Sequence, residues 1–199
     1  MRKKSAGRGE GIIQYNSGHF PVYKVMAMVQ VRCTKKVQDA MGLRQTDLSG
    51  IKETDSILGN WYANLFTVDR RKTLIFMNER TLLSFIVYGM RKDNITDFKE
   101  YFHRGLRQLL MIENIGNEKT EEILAEYETV EITKTDSRTV LGNLNDLVDI
   151  YKYSIQYDGG LKKCDLTSII CQMNRTPQRN LGWSYSVDIL AELLKMNRH

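Results

Sequence analysis

Two short polar breaks inside an apolar stretch, residues 58–90, carry the side chains best suited to recognition chemistry. Asp69-Arg70-Arg71-Lys72 interrupts one hydrophobic run and Asn78-Glu79-Arg80 the next. Arginines present planar forks that match carboxylate or phosphate, and asparagines set a donor beside an acceptor. Asn64 lies in the preceding run close to Trp61 and Tyr62, whose rings could offer a stacking surface to a base. The same residues also read as plain structure: solvated hairpin turns closed by Glu79–Arg80 or Asp69–Arg71 ion pairs, with the aromatic rings in the core. In a meander the two breaks fall at opposite ends of the sheet, so spacing alone does not join them into one pocket.

A second polar concentration is Asp136-Ser137-Arg138-Thr139 followed by Gly142-Asn143-Leu144-Asn145-Asp146. It sits where a strand hands over to a helix N-terminus, a place suited to an anion. Asn145 and Asp146 fall about two turns into that helix. Glu128, Glu131 and Lys134 form a carboxylate-plus-lysine set of the kind a nuclease uses, although charged segments produce such sets by chance. The candidate binding residues are therefore Trp61, Asn64, Asp69, Arg70, Arg71, Asn78, Arg80, Arg138, Asn145 and Asp146, with no catalytic residue assigned. Several of Asn64, Arg71, Asn78, Arg80, Asn145 and Asp146 are expected to line one cleft.

Other chemistries find little support. The three histidines, His19, His103 and His199, are far apart, and His103 shares a helix face with Lys99 and Arg107 that reads as solvated. A His/Cys zinc site needs about four converging ligands, so no such site is expected. Asp and Glu are plentiful enough to leave carboxylate-only Mg²⁺ binding open, but no metal residue and no cofactor are assigned. Cys33, Cys164 and Cys171 are odd in number and read as packed, reduced thiols of a cytoplasmic protein. Neither a G-x-S-x-G elbow nor a phosphate-cradling G-x-x-x-x-G-K-[ST] loop occurs, and the glycines of residues 7–11 lack a flanking strand and helix. The apolar runs are much shorter than the roughly 20 residues that cross a bilayer.

The net charge of +5 invites a nucleic-acid reading. Most of it belongs to residues 1–25, where Arg2, Lys3, Lys4, Arg8 and Lys24 face Glu10 alone. The rest of the chain is close to neutral, which removes a broad electrostatic footprint for DNA. With its glycines and no periodicity, 1–25 reads as a flexible basic arm outside a single domain of residues 26–199. A start at Met26 or Met28 is the other reading.

The elements that must position these residues follow from hydrophobic period. Residues 29–33 alternate as a strand, and Thr34 is placed to cap a short helix over 35–41, stopped by Gly42. Residues 43–58 read as a surface loop. Three β-rich runs follow, 61–68, 73–78 and 81–88, with breaks short enough for an antiparallel meander. A helix capped by Asn94 or Thr96 runs to about residue 112 with Phe98, Phe102, Leu106, Leu109 and Leu110 on its buried side. Further helices are expected over 118–127, 139–156, 166–173 (capped by Asp165) and 187–196 (capped by Ser186), with a strand over 130–135. The fold class is thus α+β: an antiparallel β-meander of about 4–5 strands packed with about 5–6 helices, the C-terminal half mostly helical.

Several ordered motifs resemble those of an uncharacterised bacterial domain-of-unknown-function family. They are Thr34-Lys35-Lys36, Leu58-Gly59-x-Trp61-x-Ala63-Asn64-Leu65, Asp69-Arg70-Arg71-Lys72 and Asn78-x-Arg80-Thr81, then Val140-Leu141-Gly142-x-x-Asn145-Asp146 and Asn174-x-Thr176-Pro177. The resemblance runs from about Val29 to the C-terminus and implies a compact domain of about this size, with no reaction attached. The expected role is a binding or recognition module for a protein partner or nucleic acid. A carboxylate-dependent hydrolase or nuclease using Arg80 and the 136–146 segment is one alternative, and an oligomeric regulatory protein is another.

Overall fold

The computed structural model describes residues 28–89 and 95–196. The basic arm, the start at Met26 and the cap at Asn94 lie outside them. The strands are β1 (Val29–Cys33), β2 (Trp61–Val68), β3 (Arg71–Asn78), β4 (Ser84–Tyr88) and β5 (Val130–Lys134). The α-helices among the described residues are α1 (Lys35–Ala40), α2 (Ile95–Ile112), α3 (Asn117–Glu126), α4 (Arg138–Tyr157), α5 (Leu166–Asn174) and α6 (Ser186–Met196). The class is α+β, with a C-terminal half that is mostly helical.

The strands form one sheet in the order β4-β3-β2-β1-β5. β2, β3 and β4 make the expected antiparallel meander. The sheet as a whole is mixed, because β1 lies parallel to both β2 and β5. The reason is connection length. Two residues join β2 to β3, which forces a hairpin, whereas α1 and a long loop separate β1 from β2, enough chain for a parallel crossover. The expected surface loop over 43–58 is corrected at its end: residues 43–53 are exposed or half-exposed, whereas Thr54, Ser56, Ile57 and Leu58 are buried. The third β run begins at Ser84 because Thr81 is held in a turn by Asn78, whose Oδ1 accepts from the Arg80 N–H, the Thr81 N–H and Thr81 Oγ1.

Strand alternation sorts the core into two layers. Val31, Trp61, Ala63, Phe76 and Phe85 pack with Phe98, Phe102 and Leu106 of α2, and the rings of Trp61, Phe76, Phe85 and Phe102 touch at centroid distances of 5.0–6.2 Å. On the opposite face, Phe66, Ile75, Met77 and Ile86 lie with Leu144, Leu147, Val148, Tyr151 and Ile155, the apolar stripe of α4. Burying Trp61 and the phenylalanines contributes on the order of 2–3 kcal/mol each.

The β2–β3 hairpin turns on Asp69 (φ 48°) and Arg70 (φ 59°), with Val68 and Arg71 as the closing pair. Two consecutive positive φ values match the strand twist but suit glycine or asparagine better than arginine. The Asp69 carboxylate reaches away from the turn to accept the Leu161 N–H at 2.7 Å. Gly160, at φ 89°, lies so close that a Cβ there would collide with Asp69 Oδ2. Asp69 thus pins the hairpin tip to the α4–α5 connection.

The register leaves one step in the sheet. β1 pairs with β2 at residues 61–63, and β2 continues to Val68 with β3 as its one strand neighbour among the described residues. Because Arg70 stores left-handed strain of about 1–2 kcal/mol, Arg70→Gly is expected to raise the unfolding free energy by about 0.5–1 kcal/mol once glycine's extra unfolded-state freedom is subtracted. Urea unfolding checks this, and an unchanged or lower midpoint would contradict the turn geometry.

Candidate functional site

The step in the sheet forms the floor of an open groove of about 740 Å³. Lys36 of α1 stands on one side, Asn145, Val148, Asp149 and Lys152 of α4 on the other, with β2 residues 64–67 and Lys72 of β3 between them. Asn64 organises its head. Its Oδ1 accepts from Thr34 Oγ1 at 2.9 Å and from the Leu65 N–H at 2.8 Å, while its Nδ2 donates to Asn145 Oδ1 at 3.1 Å. Thr34 therefore makes no side-chain cap on α1, and its hydroxyl is spent on Asn64. Three lysines from three elements meet one lining carboxylate, Asp149. Lys152 lies 3.7 Å from Asp149 and 5.8 Å from the Phe66 ring centroid. Among the described residues, neither Lys36 nor Lys72 forms an ion pair.

Of the ten residues singled out by sequence, Asn64 and Asn145 meet here. Arg70 and Arg71 are exposed at the hairpin that carries Lys72. The others have different neighbours. Trp61 is fully buried, donating its indole N–H to Tyr127 Oη at 3.2 Å. Asn78 is fully buried at the far end of β3, donating to the Leu58 carbonyl at 2.8 Å. The Arg80 guanidinium donates to the carbonyls of Thr54 (2.9 Å) and Ser56 (3.0 Å). It lies across Gly59, where a Cβ would stand 2.6 Å from Arg80 Nε, so this close approach needs glycine. Arg138 is exposed in the first turn of α4. Asp146 turns to a separate recess of about 310 Å³ with Ile150, Gln178 and Arg179.

Sequence reasoning did not single out Lys152, Asp149 or Arg32. Lys152 and Asp149 sit seven and four residues after Asn145, a helical spacing that places all three on one side of α4. Arg32 is the charged residue of an otherwise buried strand. Its side chain is 5% exposed and lies between the Tyr62 hydroxyl at 3.2 Å, both Asp136 oxygens at 3.0 Å and Glu79 at 3.2 Å. Burial pulls the guanidinium pKa down, but the Tyr62 hydroxyl and the carboxylates of Glu79 and Asp136 outweigh it, and the net shift is upward. Tyr62 in turn donates to Asp136. Burial, helped by that hydrogen bond, lifts the phenol to about 12 despite the pull of Arg32.

Among the described residues, no group of three or more His, Cys, Asp or Glu side chains is placed to hold a metal ion. Burial pushes the Cys33 thiol well up, so it stays protonated and unreactive. On the helix face expected to be solvated, Arg107 is exposed but His103 is half-buried. Burial, reinforced by Lys99 and Arg107, lowers the imidazole pKa against the pull of a hydrogen bond with the Tyr127 backbone. No helix of the described residues is long and apolar enough to cross a membrane.

In comparisons with known proteins, residues 30–189 match the model of the family described as Domain of unknown function (DUF6933). No curated protein matches the chain.

The raised Tyr62 pKa carries a sign. Between pH 10 and 12 the folded state holds the phenolic proton that the unfolded chain releases, so stability is complete below about pH 10 and declines as pH rises toward 12. Tyr62→Phe is expected to make stability less steeply pH-dependent across that window, read by urea midpoints at successive pH values. An unchanged slope would show that the phenol is not held neutral by Asp136 and burial.

Proposed function

The chain belongs to the DUF6933 family, which carries no assigned activity, and we propose that it acts as a recognition module for an anionic partner, bound in the groove between α1, β2 and α4. The observation that carries this reading is the convergence of Lys36, Lys72 and Lys152 around the Asn64–Asn145 pair, with Asp149 as the one lining carboxylate. Charges of one sign gathered over an apolar floor of Leu65, Phe66 and Val148 raise the local concentration of the opposite charge and strengthen contacts made there. The asparagine pair supplies neutral donors and acceptors held in fixed directions, which adds orientation to attraction. Binding without a chemical step accounts for all of these features.

The hydrolase alternative draws less support. Arg80, its expected cation, has its guanidinium engaged by the carbonyls of Thr54 and Ser56. Asp136 is paired with Arg32 and Tyr62.

Alanine at Lys36, Lys72 and Lys152 tests the reading, since these side chains are exposed or half-exposed and their loss leaves the core intact. At low salt each substitution is expected to weaken binding of inorganic polyphosphate or polyglutamate by about fivefold to tenfold, the order of a charge-assisted contact. The triple variant is expected to abolish it. Calorimetry that finds no binding by the wild type, or equal binding by the triple variant, would overturn the proposal.

A further inference from the structure

The groove contains more than charge: it contains an open strand edge. Thr34 N–H donates to the Ala63 carbonyl at 3.0 Å, so the backbone groups of Ala63 face the β1 side. In a strand, alternate residues point the same way. The N–H and C=O groups of Leu65 and Thr67 therefore also face away from β3, beyond the point where β1 has ended. Asn64 Oδ1 satisfies the Leu65 N–H. The Leu65 carbonyl and both backbone groups of Thr67 face the groove.

The outer edges of the sheet are treated differently. On β4, Asn174 acts as a substitute strand: its Oδ1 accepts from the Ser84 N–H at 2.8 Å and its Nδ2 donates to the Ser84 carbonyl at 3.0 Å. On β5, the Ser49 N–H donates to the Ile132 carbonyl at 2.9 Å. Edges invite pairing with other chains and are normally blocked. Each outer edge thus carries a blocking group at one residue, as Asn64 does at the Leu65 N–H, and among the described residues the stretch of β2 beyond Asn64 is the edge that lines a groove with three lysines.

Resting on the anion-groove reading, we infer that the partner is an acidic polypeptide segment in extended conformation, which adds to β2 as a short strand. Its backbone pairs with Leu65 and Thr67, and its carboxylates meet Lys36, Lys72 and Lys152. Backbone pairing supplies affinity in such complexes and side-chain contacts supply selectivity. A nucleic acid fits less well. Single-stranded ligands stack their bases on exposed aromatic rings, whereas Trp61 is fully buried and Phe66 nearly so. Beyond residues 1–25 the chain is also close to neutral.

The test uses the full chain and three fluorescent probes: a peptide of about six to eight residues alternating Glu and Val, the same peptide N-methylated at alternate residues on its pairing edge, and oligothymidylate. The plain peptide is expected to bind, to protect the Thr67 amide from hydrogen exchange, and to lose about tenfold or more in affinity on N-methylation, the cost of two backbone hydrogen bonds. Equal binding of the N-methylated peptide, or an unchanged Thr67 amide, would overturn strand addition. Binding of oligothymidylate with none of the peptide would overturn it too while leaving the anion groove standing. No binding of either peptide or oligothymidylate here, together with no binding of polyphosphate by calorimetry, would remove the groove reading as well.

Discussion

A mismatch in strand length governs this molecule. β1 contributes five residues and β2 eight, and their parallel register aligns only three. A sheet must satisfy every buried backbone group, so a strand that outruns its neighbour requires some other structure at the step. Part of that role falls to Asn64, which takes the Leu65 N–H onto its own side chain and bonds to Thr34 and Asn145. Those bonds tie the start of α1 and the first half of α4 to the middle of β2. The lysines of both helices consequently stand on either side of the step.

The same economy recurs through the fold. Asparagines serve as pieces of backbone at several points where a strand lacks a neighbour. Asn60 accepts the Gln30 N–H at 2.9 Å, Asn78 closes the β3–β4 turn, and Asn174 seals the β4 edge. A primary amide carries the donor and acceptor of a peptide group, so it can complete a ladder where no strand exists. Buried and bonded, these side chains stabilise by orientation rather than hydrophobicity. Losing any one would leave peptide groups unpaired at a cost of about 1–3 kcal/mol. Arg32 is the more expensive member of the polar interior. Its Nε is buried without a hydrogen-bond partner among the described residues, and its charge is offset by Asp136 and Glu79.

Much of the secondary structure was legible before any coordinates. Phe98, Phe102, Leu106, Leu109 and Leu110 repeat at the helical period because one face of α2 covers the sheet. Leu144, Leu147, Val148, Tyr151 and Ile155 do the same on α4. Asp165 caps α5 as its type suggests. The parallel placement of β1 was not legible, since five alternating residues pair equally well in either direction until the crossover is built. The sites of polar residues were harder still. An arginine over a glycine looks, in sequence, like an arginine in a turn, and Arg80 becomes a brace only because residues 54–59 fold back beneath it.

The sequence alone carried the class of fold, a hairpin within Asp69–Lys72 (which the structure narrows to a turn at Asp69-Arg70) and the apolar faces of the helices, because these follow from local backbone preference and periodic burial. It also marked Asn64 and Asn145 as unusual. Tertiary assembly set the rest: these two, 81 residues apart, share a hydrogen bond, Lys36, Lys72 and Lys152 stand round them, and Trp61, Asn78 and Arg80 serve the scaffold instead. The reason is that a groove is a property of how elements end beside one another. Strand lengths, register and crossover are set jointly by contacts distant in the chain, and no local window contains them.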